Sequence, residues 1–200
     1  MVQNIQIVNS GAAGGFIGVS QGTVTLNRCE LKVSNSSVIN SIRGNNHAAG
    51  LVGRATNQNC TITDAYLENI NITLSGSSNN AGSAVGAAGN VFIHNFHLNS
   101  SNVNNLITGG SGICGQANST KFECSNCFLN NLDINAGTDN IGGAIGYSPI
   151  VNITNFKLGN TLELFNNFFG NNSVGGIIGA ANQMRLTNGS VERTTVIGFG

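Results

Sequence analysis

Apolar and polar positions along this chain repeat on two scales. On the longer one, a glycine, two apolar residues and a second glycine recur six times, once with serine in place of the first glycine. The phrase reads Gly15-Phe16-Ile17-Gly18, Gly50-Leu51-Val52-Gly53, Ser83-Ala84-Val85-Gly86, Gly112-Ile113-Cys114-Gly115, Gly143-Ala144-Ile145-Gly146 and Gly176-Ile177-Ile178-Gly179. The closing glycines are spaced by 35, 33, 29, 31 and 33 residues. A period that tolerates small insertions marks a solenoid, with one structural unit per repeat.

Within each unit the shorter scale is alternation. A polar turn after the phrase leads to a strand ending near a threonine, as in Thr23-Val24-Thr25, Thr61-Ile62-Thr63 or Asn152-Ile153-Thr154. An amide or acid then recurs at Asn27, Asp64, Asn95, Asn126, Asn155 and Asn188, followed by an aliphatic at Leu31, Leu67, Leu98, Leu129, Leu158 and Val191. Stacked coils align these into an asparagine ladder, able to pass hydrogen bonds along the axis, and a leucine ladder that fills the core. A third strand alternates at Ile70-Asn71-Ile72, Leu132-Asp133-Ile134 and Leu162-Glu163-Leu164. Glycine–asparagine turns close each unit, where both residues suit positive φ. The expected fold is all-β, a right-handed parallel β-helix over residues 1–200, with about six coils of ~32 residues and three short strands per coil.

Composition narrows the function. Charged residues make up 8%, with a net charge of zero, which excludes a nucleic-acid partner because phosphate binding needs clustered Lys and Arg. No apolar run approaches the ~18 residues of a membrane helix, so no membrane insertion is expected. The 28 glycines and 34 asparagines would suit disorder, but the fixed apolar period argues for order. The first residues show no secretion signal, and neither end carries a capping helix. The expectation is a piece of a longer solenoid or precursor, or a subunit that stacks end to end.

The glycine–apolar–apolar–glycine phrase, with its turn, short strand and leucine, resembles the GLUG repeat of large bacterial and protist surface proteins, adhesins and secreted peptidases. The resemblance covers nearly the whole chain and implies a β-helical stalk or adhesive surface outside the cell. It carries no activity, because in the peptidases the chemistry lies in other domains, and no HExxH motif occurs here.

Several constellations invite chemistry. His94 and His97 lie 30 residues before Cys124 and Cys127, ligand types that suit tetrahedral zinc if one coil stacks on the next. Against this, the leucine ladder shifts the pairing by one residue, so ladder positions with cysteines packed as small apolar groups are the expectation. Asp133 and Glu163 fall one coil apart on an outward face, at a spacing that resembles a retaining glycosidase pair. With no His or Arg at their phase, a solvated face is expected instead. A threonine column (Thr25, Thr63, Thr154, Thr187) is interrupted by His94 and Cys124, which argues against ice binding. Cys114 should be a buried thiol, Cys29 and Cys60 fall at other phases, and His47 reads as a surface residue. Eight glycosylation sequons stand at Asn35, Asn59, Asn71, Asn99, Asn118, Asn152, Asn171 and Asn188. Of these Asn35, Asn71, Asn99, Asn118 and Asn171 are the candidates for glycans on a secreted chain.

The sequence therefore predicts a non-catalytic structural or adhesive β-helix at the cell surface or beyond it, with no cofactor. Adjoining repeats, copies of itself or glycans are its expected partners. The rival readings are a homopolymeric filament and, behind it, a polysaccharide-active enzyme.

Overall fold

The computed structural model describes residues 2–3, 5–33, 39–75, 80–105, 110–136, 139–159, 166–170 and 172–198. Its regular structure is entirely β, and every strand pair is parallel. Residues one repeat apart lie side by side, so the chain is a β-solenoid. The leucine ladder is continuous: Leu31, Leu67, Leu98, Leu129, Leu158 and Val191 pair in sequence from coil to coil. Its first five members are fully buried. A second inward column runs Val24, Cys60, Val91, Phe122 and Val151, and a third runs Leu26, Ile62, Ile93, Cys124 and Ile153. Each Leu or Ile removed from water contributes roughly 1.5–3 kcal/mol, so the columns along the axis hold the stack together.

Six short strands, Ala12–Gly14, His47–Ala49, Asn80–Gly82, Gly110–Ser111, Asp139–Gly142 and Asn172–Gly175, form a sheet of their own beside the main one. The chain passes this corner six times and completes about five turns, fewer than the six phrases suggest, because six markers bound five intervals. Each coil also holds more straight segments than three. In the second coil, His47–Ala49 is followed by the strand Val52–Leu74, whose 23 residues run through four segments (52–55, 60–63, 65–68 and 70–74), with one register shift against the next coil, between Ala55 and Asn59.

The two corner-making residue types divide the work differently from expectation. No described glycine has positive φ; twelve other residues do, eight of them asparagines. The glycines are needed for close approach. A Cβ on Gly115 would stand 2.6 Å from the carbonyl oxygen of Gly86 and 2.8 Å from the amide of Ala81, and Gly146 and Gly179 are equally hemmed in by backbone. At this pinched corner the short strands fold back on the phrase, leaving no room for side chains between them. The one phrase that begins with serine is compensated. Gly112 opens its coil against Leu132, whereas Ser83 meets Ser101, hydroxyl to hydroxyl at 2.7 Å, both buried.

The asparagine bend is also shifted at its start. Asn27 pairs with Thr63 within a strand, and Arg28 takes the bend, with φ 55° like Asp64 beside it. Two coils carry extra residues between their second and third faces, at 34–38 and 160–165. A buried asparagine stitches the base of each. Asn40 accepts from the amide of Ile5 and donates to the carbonyls of Lys32 and Glu68; Asn166 accepts from Leu132 and donates to Gly159 and Glu192. One side chain thus ties backbone groups of its own coil to those of the coils before and after it. In the last described coil the inward columns lie open, with Met184 72% exposed and Leu186, Val191 and Val196 exposed beside it.

Candidate functional site

The outward surface beside the asparagine bend is the most differentiated part of the molecule. Positive φ at each bend residue points its side chain along the axis toward its counterpart one coil away. Asn95 donates to Asp64 at 2.8 Å, Asn126 to Asn95 at 3.2 Å, Asn155 to Asn126 at 3.0 Å and Asn188 to Asn155 at 3.0 Å. The relay runs one way and ends on the Asp64 carboxylate. Arg28, one coil further, does not join it; its exposed guanidinium makes no side-chain hydrogen bond or ion pair among the described residues.

Two residues past the bend an outward column runs Glu30, Tyr66, His97, Phe128, Lys157 and Ser190. His97 stacks on Phe128 with centroids 5.1 Å apart, while Lys32 reaches over Tyr66 at 5.2 Å and pairs with Glu30 at 3.2 Å. Between relay and column lies a groove of about 470 Å³, lined by Arg28, Glu30, Asp64, Tyr66, Asn95 and His97. The volume is that of a small-ligand site. Sequence reasoning missed this groove. The signal was present, since Glu30, Tyr66, His97 and Phe128 each precede a ladder leucine and must point the other way.

The zinc constellation does not form. The coil step here is 31 residues, so His94 pairs with Ser125 and His97 with Phe128. Both histidines are exposed, whereas Cys124 and Cys127 are buried in the core, where they pair as a disulfide across the Asn126 bend with Cα atoms 6.6 Å apart. No cluster of metal-ligating side chains occurs among the described residues. Cys29, Cys60 and Cys114 are buried free thiols; burial pushes the Cys60 thiol up to about 12 and raises Cys114 as well, so neither is a nucleophile at neutral pH.

The carboxylate pair falls partly outside the described residues. Asp133 pairs with Asn167 on the next coil, and Glu163 lies outside the described residues. Partial burial raises the Asp133 carboxyl. On the first face, His94 Nδ1 meets Ser125 Oγ at 2.7 Å in a shallow depression that Glu123 also lines. Glu123 is held by Lys121 and accepts from Asn152, interactions that keep its carboxyl below the usual range. No carboxylate among the described residues bonds the other ring nitrogen of His94, so the pair lacks the third group that orients a catalytic histidine.

His47 is buried, against expectation, with its Nδ1 unpartnered; burial, then the charge of Arg54, lowers its pKa to about 4. Among the sequons, Asn118 is exposed at a turn. Asn99 is partly buried, as is Asn71, whose Oδ1 is enclosed. Asn152 and Asn188 have their amides engaged, Asn59 accepts from Asn90, and Asn35 and Asn171 lie outside the described residues. The chain matches no family model, no curated protein and no solved structure.

Proposed function

We propose that this chain is a non-catalytic, stiff segment of an extracellular or cell-surface protein of the GLUG-repeat type, acting as a stalk with an adhesive flank. The observation that carries this is the run of uninterrupted columns, apolar inside and amide outside, through successive coils. Columns of this kind make every coil brace its neighbours, which gives rigidity, and they present the same chemistry at a fixed spacing of about 4.8 Å, which suits repetitive surfaces. The Cys124–Cys127 pairing fits an oxidising surrounding.

The test uses beads coated with the purified chain, flowed over immobilised β-glucan, mannan and chitin. Retention without release of reducing ends is the expected result. Release of reducing ends overturns the non-catalytic part, and beads that all wash away overturn the adhesive part.

A second reading, a filament subunit adding end to end to its copies, is favoured by the open columns at Met184, Leu186 and Val196. A further coil of the same chain would cover the same columns. Electron microscopy decides: long fibres from the purified chain support the filament, and dispersed particles remove it.

A further inference from the structure

We propose that the groove bounded by Arg28, Glu30, Asp64, Tyr66, Asn95 and His97 is a binding site for a neutral saccharide. The proposal starts from which hydrogen-bonding groups remain unused. Asn95 is consumed by the relay, donating to Asp64 and accepting from Asn126. Asp64 accepts through Oδ1, leaving Oδ2 without a protein partner among the described residues. Glu30 holds Lys32 through Oε2, and its Oε1 has no such partner. Arg28 has five N–H donors and no side-chain acceptor. Acceptors for hydroxyl protons and donors for hydroxyl oxygens therefore line one concavity, the complement a vicinal diol requires.

The wall supplies the other half of sugar recognition. Tyr66 and His97 stand on adjacent coils at one side of the groove, and the apolar C–H face of a pyranose packs against such rings while its hydroxyl rim meets the polar side. Charge selects against acidic ligands, since a uronate or phosphate would face both Asp64 and Glu30, against the single lining cation Arg28 among the described residues. The groove is confined to the first coils for a reason visible in the sequence. Farther along, the bend residues are neutral asparagines that satisfy one another, and Phe128 closes on His97. This site deepens the adhesive reading above and rests on it for its setting.

Saturation-transfer NMR on the full chain tests it, with cellohexaose, mannohexaose and chitohexaose as probes and hexagalacturonate as the acidic comparison. At least one neutral oligosaccharide should bind with a Kd of about 10 μM to 1 mM, and Asp64→Asn and Tyr66→Ala should each weaken it at least tenfold. Asp64→Asn leaves the bend intact, because asparagine holds the same positive-φ position in the next four coils and can accept the same relay bond. No transfer from any neutral probe, equal binding by both variants, or tighter binding of hexagalacturonate overturns the proposal. Beads that still adhere while no oligosaccharide binds would remove the groove and leave the adhesive reading standing.

Discussion

Each coil turns two of its corners by opposite means. At the pinched corner it discards side chains, so that backbone meets backbone at Gly53, Gly86, Gly115, Gly146 and Gly179. At the asparagine bend it keeps a side chain at every level, accepts positive φ and recovers the conformational penalty through hydrogen bonds along the axis. The first solution tolerates no added atom. The second tolerates any residue that accepts the backbone angle, which is why Arg28 and Asp64 appear there and why variation in surface chemistry collects on that side.

The sharpest way to break the contrast is to add one methyl group to the pinched corner. Gly115→Ala should destabilise the fold by about 3 kcal/mol or more, because the three nearest atoms to the new Cβ are all backbone and the neighbouring coils fix them. Gly22→Ala, where a Cβ meets nothing within 4 Å, should stay within about 0.5 kcal/mol. Urea midpoints compare the two. Equal losses would mean that the glycines serve the turns generally rather than this contact.

Next comes the serine that departs from the phrase. Ser101→Leu should cost about 2–3 kcal/mol, by crowding Ser83 and removing its partner from a buried hydroxyl. Adding Ser83→Gly recreates the Gly112–Leu132 arrangement of the following coil, and the double variant should return to within about 1 kcal/mol of the parent. A simple sum of the two single losses would refute the compensation.

These two cases show what was legible in the sequence. The period, the parallel stacking and the leucine ladder could be read directly, because Leu67, Leu98 and Leu129 must share one buried column whatever the corners do. The role of the glycines could not, since close approach depends on two strands distant in sequence and looks, locally, like any turn. Asn27 hid the true start of the bend by placing an amide one residue early, next to Arg28. Asn40 and Asn166, which stitch the bases of the insertions, were lost among the many other asparagines. The groove was recoverable in part, as the residues preceding the ladder leucines, but its open mouth depends on Arg28 having no relay partner.

The short strand at the pinched corner also makes a pH prediction. His47, paired with Ala12 and Asn80 in its sheet, takes a proton near 6.5 when unfolded and only near 4 when folded. The unfolded state binds the extra proton between these values, so stability present above pH 6.5 is lost progressively as pH falls toward 4, by about 2–3 kcal/mol with allowance for screening. His47→Asn, which copies Asn80, should flatten the urea midpoint across that window. A parent chain with no slope there would show that water reaches His47.

The smallest expected effect tests the bend itself and separates its two components. Asn126 both holds positive φ, at 54°, and links two relay bonds, donating to Asn95 and accepting from Asn155. Replacing it by alanine removes the bonds and leaves a Cβ in the left-handed region, for a loss of about 1–2 kcal/mol. Glycine removes the same bonds but adopts that φ freely, so Asn126→Gly should lose only about half as much. The difference between the variants measures backbone strain, and the glycine value measures the relay, since partly exposed amides regain water when a partner is removed. If glycine were as harmful as alanine, the relay would be the main support of the bend. If glycine were neutral, the bonds would decorate a corner that φ alone maintains, and an unbonded Arg28 at the equivalent position would need no other compensation.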